Sequence, residues 1–303
     1  MAKGLLILRT LTPTHPGAGT SVGAIDLMLQ REVTTNFPFI QGSSLKGAIR
    51  SYLHPKEEKQ VLDKMFGPRD NHGSNLSKGA IIISDASLLF YPVRSLKGLY
   101  ALVTCPEILR RLKMPHIGLN IPADLLKWDD KGKVRALKLA KSKYEVNGRV
   151  YLEDLNFSVE ILTEDNFSWV NKLGFENESK KDILNRLFIV HDDVFQYFVK
   201  FATMVISRNR IDYGTGIVQR GALWTEEHLP PETYLFSYLE DNDKKVDEES
   251  NSLARLRKRL DKKVIHLGGD ETVGKGFVEL RFTALNSKSK VQLNSLTQEA
   301  KNG

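Results

Sequence analysis

One cysteine, Cys105, stands among 303 residues. A lone thiol excludes an internal disulfide and any zinc knuckle built from cysteines, and it suits a reducing compartment. No apolar run reaches the ~20 residues that a membrane-crossing helix needs. The apolar start, residues 4–8, is interrupted by Arg9 and is too short for a secretory leader, so the expectation is a cytoplasmic protein with no membrane partner. Acid is also in short supply: 37 Asp+Glu face 44 Lys+Arg, a net charge of +7. That balance favours a partner made of phosphates, whose neutralisation releases counterions. No internal repeat at a fixed period is visible, which excludes a solenoid or propeller.

What is present is enough for a sizeable core. At 41% hydrophobic and 9% aromatic the chain can bury a domain of this length, and disorder is not indicated. Residues 4–11 read as a buried first strand, followed by a Gly/Pro/Thr/Ser loop over 12–24. Gly42-Ser43-Ser44 announces a helix through a serine cap, with Leu45, Ile49 and Leu53 at helical spacing and Lys46 and Arg50 one turn apart. A second helix over 57–66 stops at Gly67-Pro68. Strands are expected over 80–93, 99–104 and 150–162, and helices from Pro106, over 180–187 and over 193–204, the last capped by Asp192 or Asp193. Residues 116–148 are charged and poorly periodic and read as an insertion. Turn residues Gly214-Thr215-Gly216 lie between strand-like stretches, a polar arm covers 225–232, and strands follow at 234–239, 264–267 and 277–282. A charged helix is expected over 244–260, and the polar residues from 286 to 303 form a frayed tail. Strands with helices on one face make an α+β domain, of which the ferredoxin-like (RRM-like) arrangement is the common solution.

The stretch from Gly269 to Lys275 fills seven of the eight places of a phosphate-cradling P-loop. Its eighth place, which needs a Ser or Thr hydroxyl for magnesium, is Gly276, and the residues beyond alternate at period two. A P-loop must open a helix, and this one opens a strand, so NTP hydrolysis is excluded. What remains is a glycine-rich loop (Gly268, Gly269, Gly274, Lys275, Gly276) through which an RNA backbone could approach closely.

Five motifs occur in one order: residues 15–20 (HPGAGT), Ile25-Asp26, residues 42–47 (GSSLKG), residues 90–98 (FYPVRSLKG) and residues 268–277. Together they resemble the backbone subunit of the type III-B CRISPR effector, the Cmr complex, within the RAMP superfamily. The resemblance spans nearly the whole chain, to Phe282. It implies one palm domain over 1–285 with inserted elements, the charged stretch 116–148 and a thumb β-hairpin over 206–235 among them. It also implies the partners: a CRISPR guide RNA, a complementary single-stranded target RNA, further copies of the chain and other Cmr subunits. Target RNA would be cut at regular intervals, with Mg²⁺ or another divalent cation and an aspartate after the first strand, which here is Asp26.

Asp26 is therefore the expected catalytic acid and, through water and an RNA phosphate, the expected metal ligand. Without the resemblance, a turn-capping role would be the plainer reading. His15, in the same loop, could hold a phosphate or shuttle a proton. Ser43, Ser44, Lys46 and Arg50 form an expected backbone-binding helix face, joined by Arg208 and Arg210 of the hairpin and by the glycine loop. Glu227, with His228, matches positions that the family links to cleavage. Trp224 reads as packing at the base of the thumb, and the His191-Asp192-Asp193 run as a helix cap rather than a metal site. The rival reading is a scaffold of the same superfamily that coats RNA without cutting it.

Overall fold

The computed structural model describes residues 2–20, 23–68, 78–128, 134–139, 144–242 and 251–285. Expectations for the 286–303 tail, and for residues 244–250 of the charged helix, lie outside them. In chain order the first elements are β1 (Lys3–Thr10), β2 (Gly17–Thr20), β3 (Leu27–Leu29), β4 (Phe39–Ile40), α1 (Gly42–Leu53) and α2 (Lys59–Phe66). Then come β5 (Ile81–Ile83), β6 (Ala86–Arg94), β7 (Tyr100–Thr104), α3 (Pro106–Lys113), β8 (Arg135–Lys138), β9 (Arg149–Leu152) and β10 (Leu155–Ile161). The remainder is α4 (Asn177–Arg186), β11 (Leu187–Ile189), α5 (Asp192–Phe201), β12 (Met204–Ile211), β13 (Val218–His228), β14 (Tyr234–Asp241), α6 (Ser252–Leu260), β15 (Val264–His266) and β16 (Phe277–Leu285).

The large sheet runs β15-β16-β1-β14-β6-β7-β11-β8-β10-β9. Its heart, β16-β1-β14-β6, with α1 between β1 and β6 and α6 between β14 and β16, is the ferredoxin-like βαββαβ unit. Leu5, Leu6, Ile7 and Leu8 are all fully buried, so β1 is covered on both faces and reads as a continuous apolar run rather than an alternation. One face takes the apolar seams of α1 (Leu45, Ile49, Leu53) and α6 (Leu253, Leu256, Leu260). The segment 164–175 packs elsewhere on the sheet, where Trp169 meets Phe90 at 6.1 Å and Phe175 meets Tyr234 at 5.8 Å between ring centres. Beyond β6 the sheet continues through β7, β11 and β8, flanked by α3, α4 and α5.

The described residues of the charged stretch 116–148 contribute to the core. Ile117, Leu119, Ile121, Leu125, Leu137 and Tyr144 are buried, and β8 is an inner strand of the sheet. The charges hid it because so short a strand shows too few alternations to register. Lys138, also buried, donates to the carbonyls of Leu184 and Asn185 at the end of α4, and burial pushes its ammonium down to about 8.

Two helix caps are corrected. α1 begins after Gln41, and its first amide, Gly42 N, donates 2.7 Å to Asp85 rather than to a serine. Helix α5 is capped by His191, whose Nδ1 accepts from Asp193 N at 3.1 Å. Asp192 instead accepts from Glu107 N at 2.8 Å, satisfying the first turn of α3 across the fold.

The hairpin β12–β13 spans residues 204–228, with Met204 opposite His228 and a register shift between Asn209 and Ile211. It starts two residues earlier than the sequence reading placed it, and residue 234 onward belongs to the palm as β14. Residues 225–228 are strand rather than a polar arm. A separate four-stranded sheet, β12-β13-β3-β2, is formed as β3 joins β13 in parallel at Leu27–Glu226. At the tip, Asp212 Oδ1 accepts from the Gly214 and Thr215 amides and so closes the turn.

Candidate RNA-cutting site at the foot of the hairpin

Asp26 lies just before β3 and is exposed. Its Oδ2 accepts from Thr225 N at 2.8 Å and from Thr225 Oγ1 at 2.9 Å, while its own amide donates 3.1 Å to that hydroxyl. The Thr225 hydrogen bonds, the backbone one foremost, hold the carboxyl below the usual carboxylate range, so it is ionised at neutral pH. Oδ1 has no protein partner among the described residues.

His15 reaches the same strand from the loop after β1. Its Nδ1 is 2.6 Å from the carbonyl of Glu227, and a carbonyl only accepts, so Nδ1 carries the proton and Nε2 is the ring's remaining polar atom. Residues 225 and 227 are two apart, ~6.8 Å along a strand. β13 thus fixes both loops, and the chemistry-bearing residues of the 12–26 segment share one edge of the hairpin foot.

Glu227 does not face this edge. It is buried: Oε1 accepts from Arg31 at 2.5 Å and Thr203 at 3.0 Å, and Oε2 from Leu29 N at 3.0 Å. Both oxygens are committed to holding the sheet, so Glu227 offers no free carboxylate oxygen where the sequence reading expected a catalytic one. Arg31 completes the tie by donating to the carbonyls of Asn36 and Val199.

On the opposite side of β13 lie Glu226 and His228, also buried. Glu226 accepts from Trp224 Nε1 at 2.7 Å and pairs with Arg208 at 3.2 Å, and Arg208 pairs with Asp270 at 2.8 Å. Lys275 Nζ lies 3.1 Å from His228 Nε2 and 3.8 Å from Glu226. An ammonium only donates, so Nε2 accepts and the Nδ1–H of His228 is left without a protein partner among the described residues. Burial first, then Lys275 and His15, hold His228 below the usual imidazole range, which keeps it neutral.

Glu226, His228 and Asp270 bring ligand atoms within 4.8 Å of one another, a spacing that would suit a cation. Arg208 and Lys275 already neutralise that cluster, and Mg²⁺ prefers an octahedron of oxygens with several waters. The trio does not fit magnesium. Asp26 does: an ionised, exposed carboxylate with one uncommitted oxygen is what a hydrated divalent ion uses when substrate phosphates complete the shell.

The expected RNA-facing groups divide. Ser43 and Ser44 are exposed, as is Arg210. Lys46 instead donates 3.0 Å to the carbonyl of Ile81, with burial and Arg50 lowering its ammonium, and Arg50 is bound to the Gly67 carbonyl and, at 2.6 Å, to Asp63. Neither is a free cation, because acceptors remote in sequence claim them. Arg208 and Lys275 are likewise committed inward, as above. In the glycine loop, a Cβ at Gly268 would fall 2.6 Å from the His15 carbonyl oxygen, and one at Gly276 2.4 Å from that of Leu267. Gly269 N donates to His15 O and Gly276 N to Pro13 O, so these glycines allow the protein's own His15 loop to approach, and only Gly274 faces open space. Thr225, Arg31, Thr203 and Asp270 were not singled out from the sequence. A lone Thr or Arg carries no local signature, and Asp270 was read only as part of the glycine loop.

A ferredoxin-like palm, a hairpin standing on it and an acid at their joint define an RNA-handling class of fold. The chain belongs to the RAMP superfamily, whose profile matches residues 7–279. It is 37% identical over 290 residues to the CRISPR system Cmr endoribonuclease Cmr4 of Pyrococcus furiosus, covering 92% of this chain and 95% of that protein. The crystal structure of oligomeric Cmr4 from Pyrococcus furiosus superposes with a TM-score of 0.73 at 31% identity, covering 94% of this chain and 99% of that one. A chain of the type III-B Cmr-beta complex bound to cognate target RNA superposes with a TM-score of 0.72 at 25% identity, over 92% and 96%. Among the described residues no helix is long and apolar enough to cross a membrane.

Proposed function

We propose that this chain is the repeating backbone subunit of a CRISPR ribonucleoprotein, that it holds guide RNA, and that it cuts complementary target RNA with Asp26 as the key acid. The observation that carries the cutting role is the Asp26–Thr225 pair: an exposed, ionised carboxylate fixed at the joint between palm and hairpin. The RNA-binding role rests on kinship, since one relative is named an endoribonuclease, one similar chain forms oligomers and another belongs to a complex bound to target RNA. Sequence would then be read by base pairing, and the protein would read backbone and shape.

Cleavage beside a ribose requires the 2′-oxygen to lose a proton while charge grows on the phosphate. Asp26 is placed to accept a hydrogen bond from that hydroxyl or to anchor a hydrated divalent cation against the phosphate. Such a cation, when bound, supplies charge neutralisation at the scissile group. His15 presents Nε2 from the same strand edge: with the proton on Nδ1, Nε2 of the neutral ring accepts a proton, and the imidazolium so formed donates to a phosphate oxygen. Neutral His228, its ring centre 5.3 Å from that of His15, disfavours nothing about this; were it charged it would repel an imidazolium.

The test uses assembled complex, magnesium and a guide-matched RNA, with Asp26→Ala beside the wild type and EDTA in a parallel series. Evenly spaced products from the wild type, absent in the variant and in EDTA, support the reading. Uncut RNA with both proteins leaves the scaffold role standing. Cutting that survives both the substitution and EDTA contradicts it.

A further inference from the structure

We propose that Asp270 and Lys275, at the two ends of the glycine loop, are positioning residues that latch the hairpin foot to the palm and so set where Asp26 meets RNA. This rests on the reading of the chain as an RNA-cutting subunit and deepens it, by naming palm residues that act on the cut through the hairpin. The loop joins β15 to β16, two strands of the palm sheet. Both charged side chains leave it toward the hairpin. Asp270 pairs with Arg208 of β12 at 2.8 Å. Lys275 meets Glu226 at 3.8 Å and His228 Nε2 at 3.1 Å, both on β13. Each strand of the foot is thus held from a different end of one loop.

The loop itself is tied down. Asp270 sits in the left-handed region, φ 63°, which aspartate tolerates better than most side chains. Its carbonyl accepts from Val273 N at 3.1 Å and from Lys275 N at 3.3 Å, so the stretch between the two charges is closed on itself. At the flanks, Gly269 N donates to the His15 carbonyl and Gly276 N to that of Pro13. One loop therefore holds β12, β13 and the His15 segment together. Thr225, the partner of Asp26, is the chain neighbour of Glu226.

Partial burial gives these links weight. The Arg208 and Asp270 side chains are each 24% exposed and that of Glu226 4%, drier than an ordinary surface pair. Lys275, at 14%, is not presented to a phosphate. Charge-assisted contacts are directional, so links on both strands oppose a tilt of the foot as well as its departure. A tilt would carry Asp26 along with β13 while RNA stayed on the palm. A misplacement on the order of 1 Å at the reacting groups can cost ~100-fold in rate.

Asp270→Asn and Lys275→Gln are each assembled into the complex and compared with wild type in single-turnover cutting at saturating guide-matched RNA. Rate constant and amplitude are read separately, and affinity for guide and target is measured alongside. Asp270 is an acid, so its loss removes no phosphate contact. We expect each variant to lower the rate constant roughly tenfold or more, with amplitude and both affinities undiminished. Lys275→Arg, which keeps the cation, should restore most of the rate. Where Lys275→Gln fails to assemble, the isosteric Asp270→Asn decides alone. An unchanged rate constant in an assembled variant overturns the latch and leaves the Asp26 reading intact. So does a loss confined to amplitude, which marks subunits that fail to fold rather than a displaced acid. Weaker RNA binding by Lys275→Gln also overturns it and returns the loop to RNA contact. Wild-type complex that leaves matched RNA uncut defeats the cutting reading, and the latch with it.

Discussion

The palm and the hairpin sheet are held together by different physics. In the palm, β1 buries Leu5 to Leu8 completely and the leucine seams of α1 and α6 close over the sheet, so its stability comes from apolar area. In the hairpin, Ile211, Tyr213, Ile217 and Leu223 face solvent, and the foot is anchored by the buried carboxylates Glu226 and Glu227, each paired with a part-buried arginine. Apolar packing tolerates small displacements. A buried ion pair does not, because either partner left alone is an unpaired charge in a poor solvent for it. On the proposed reading Asp26 meets a particular ribose–phosphate link, and it is attached to β13, between the two clamps.

The difference can be broken in graded steps. Arg31→Met leaves Glu227 buried without its cation, and we expect a loss of ~3–5 kcal/mol, the largest of the series, measured by denaturant unfolding. Hydrogen exchange should locate the loosening in β3, β12 and β13 before the palm opens. Leu8→Ala removes a fully buried palm side chain and should cost ~2–5 kcal/mol, with exchange rising through the whole sheet instead. If the two variants loosened the same amides, the two regions would not be independent in the way described.

A smaller effect is expected from pH. His228 has a folded pKa below the ~6.5 of the unfolded chain, so below that value the unfolded state binds more protons. Stability therefore rises with pH through the window beneath ~6.5 and falls on acidification. His228→Gln should flatten that part of the unfolding profile relative to wild type; an identical slope in both would show that the imidazole is not responsible. Smallest of all is the tip. Tyr213→Ser, at a fully exposed side chain, should change stability by no more than ~0.5 kcal/mol. A larger loss would mean that the tip packs against the body.

The same contrast explains what could be read in advance. Palm helices announce themselves through local periodicity, as in Leu45, Ile49 and Leu53, and β1 through its apolar run, whereas the short inner strand β8 does not. The hairpin foot does not. Glu226-Glu227-His228 looks like a solvated arm because its partners, Arg31, Arg208 and Lys275, arrive from three separate stretches of chain. Lys46 and Arg50 mislead in the opposite way: their spacing describes an open cationic face, while the Ile81 and Gly67 carbonyls that occupy them lie 35 and 17 residues away. Asp26 stands out as a candidate only through the motifs around it, since a lone aspartate after a loop carries no chemistry of its own.

The most direct measurement is the single-turnover cutting rate of a guide-matched RNA by assembled complex carrying Asp26→Asn, at saturating RNA and magnesium. The substitution keeps the side chain's size and one oxygen for Thr225 but removes the charge. A fall of at least ~100-fold with undiminished RNA binding is what an acid acting at the palm–hairpin joint predicts. Equal rates for the two complexes would contradict it.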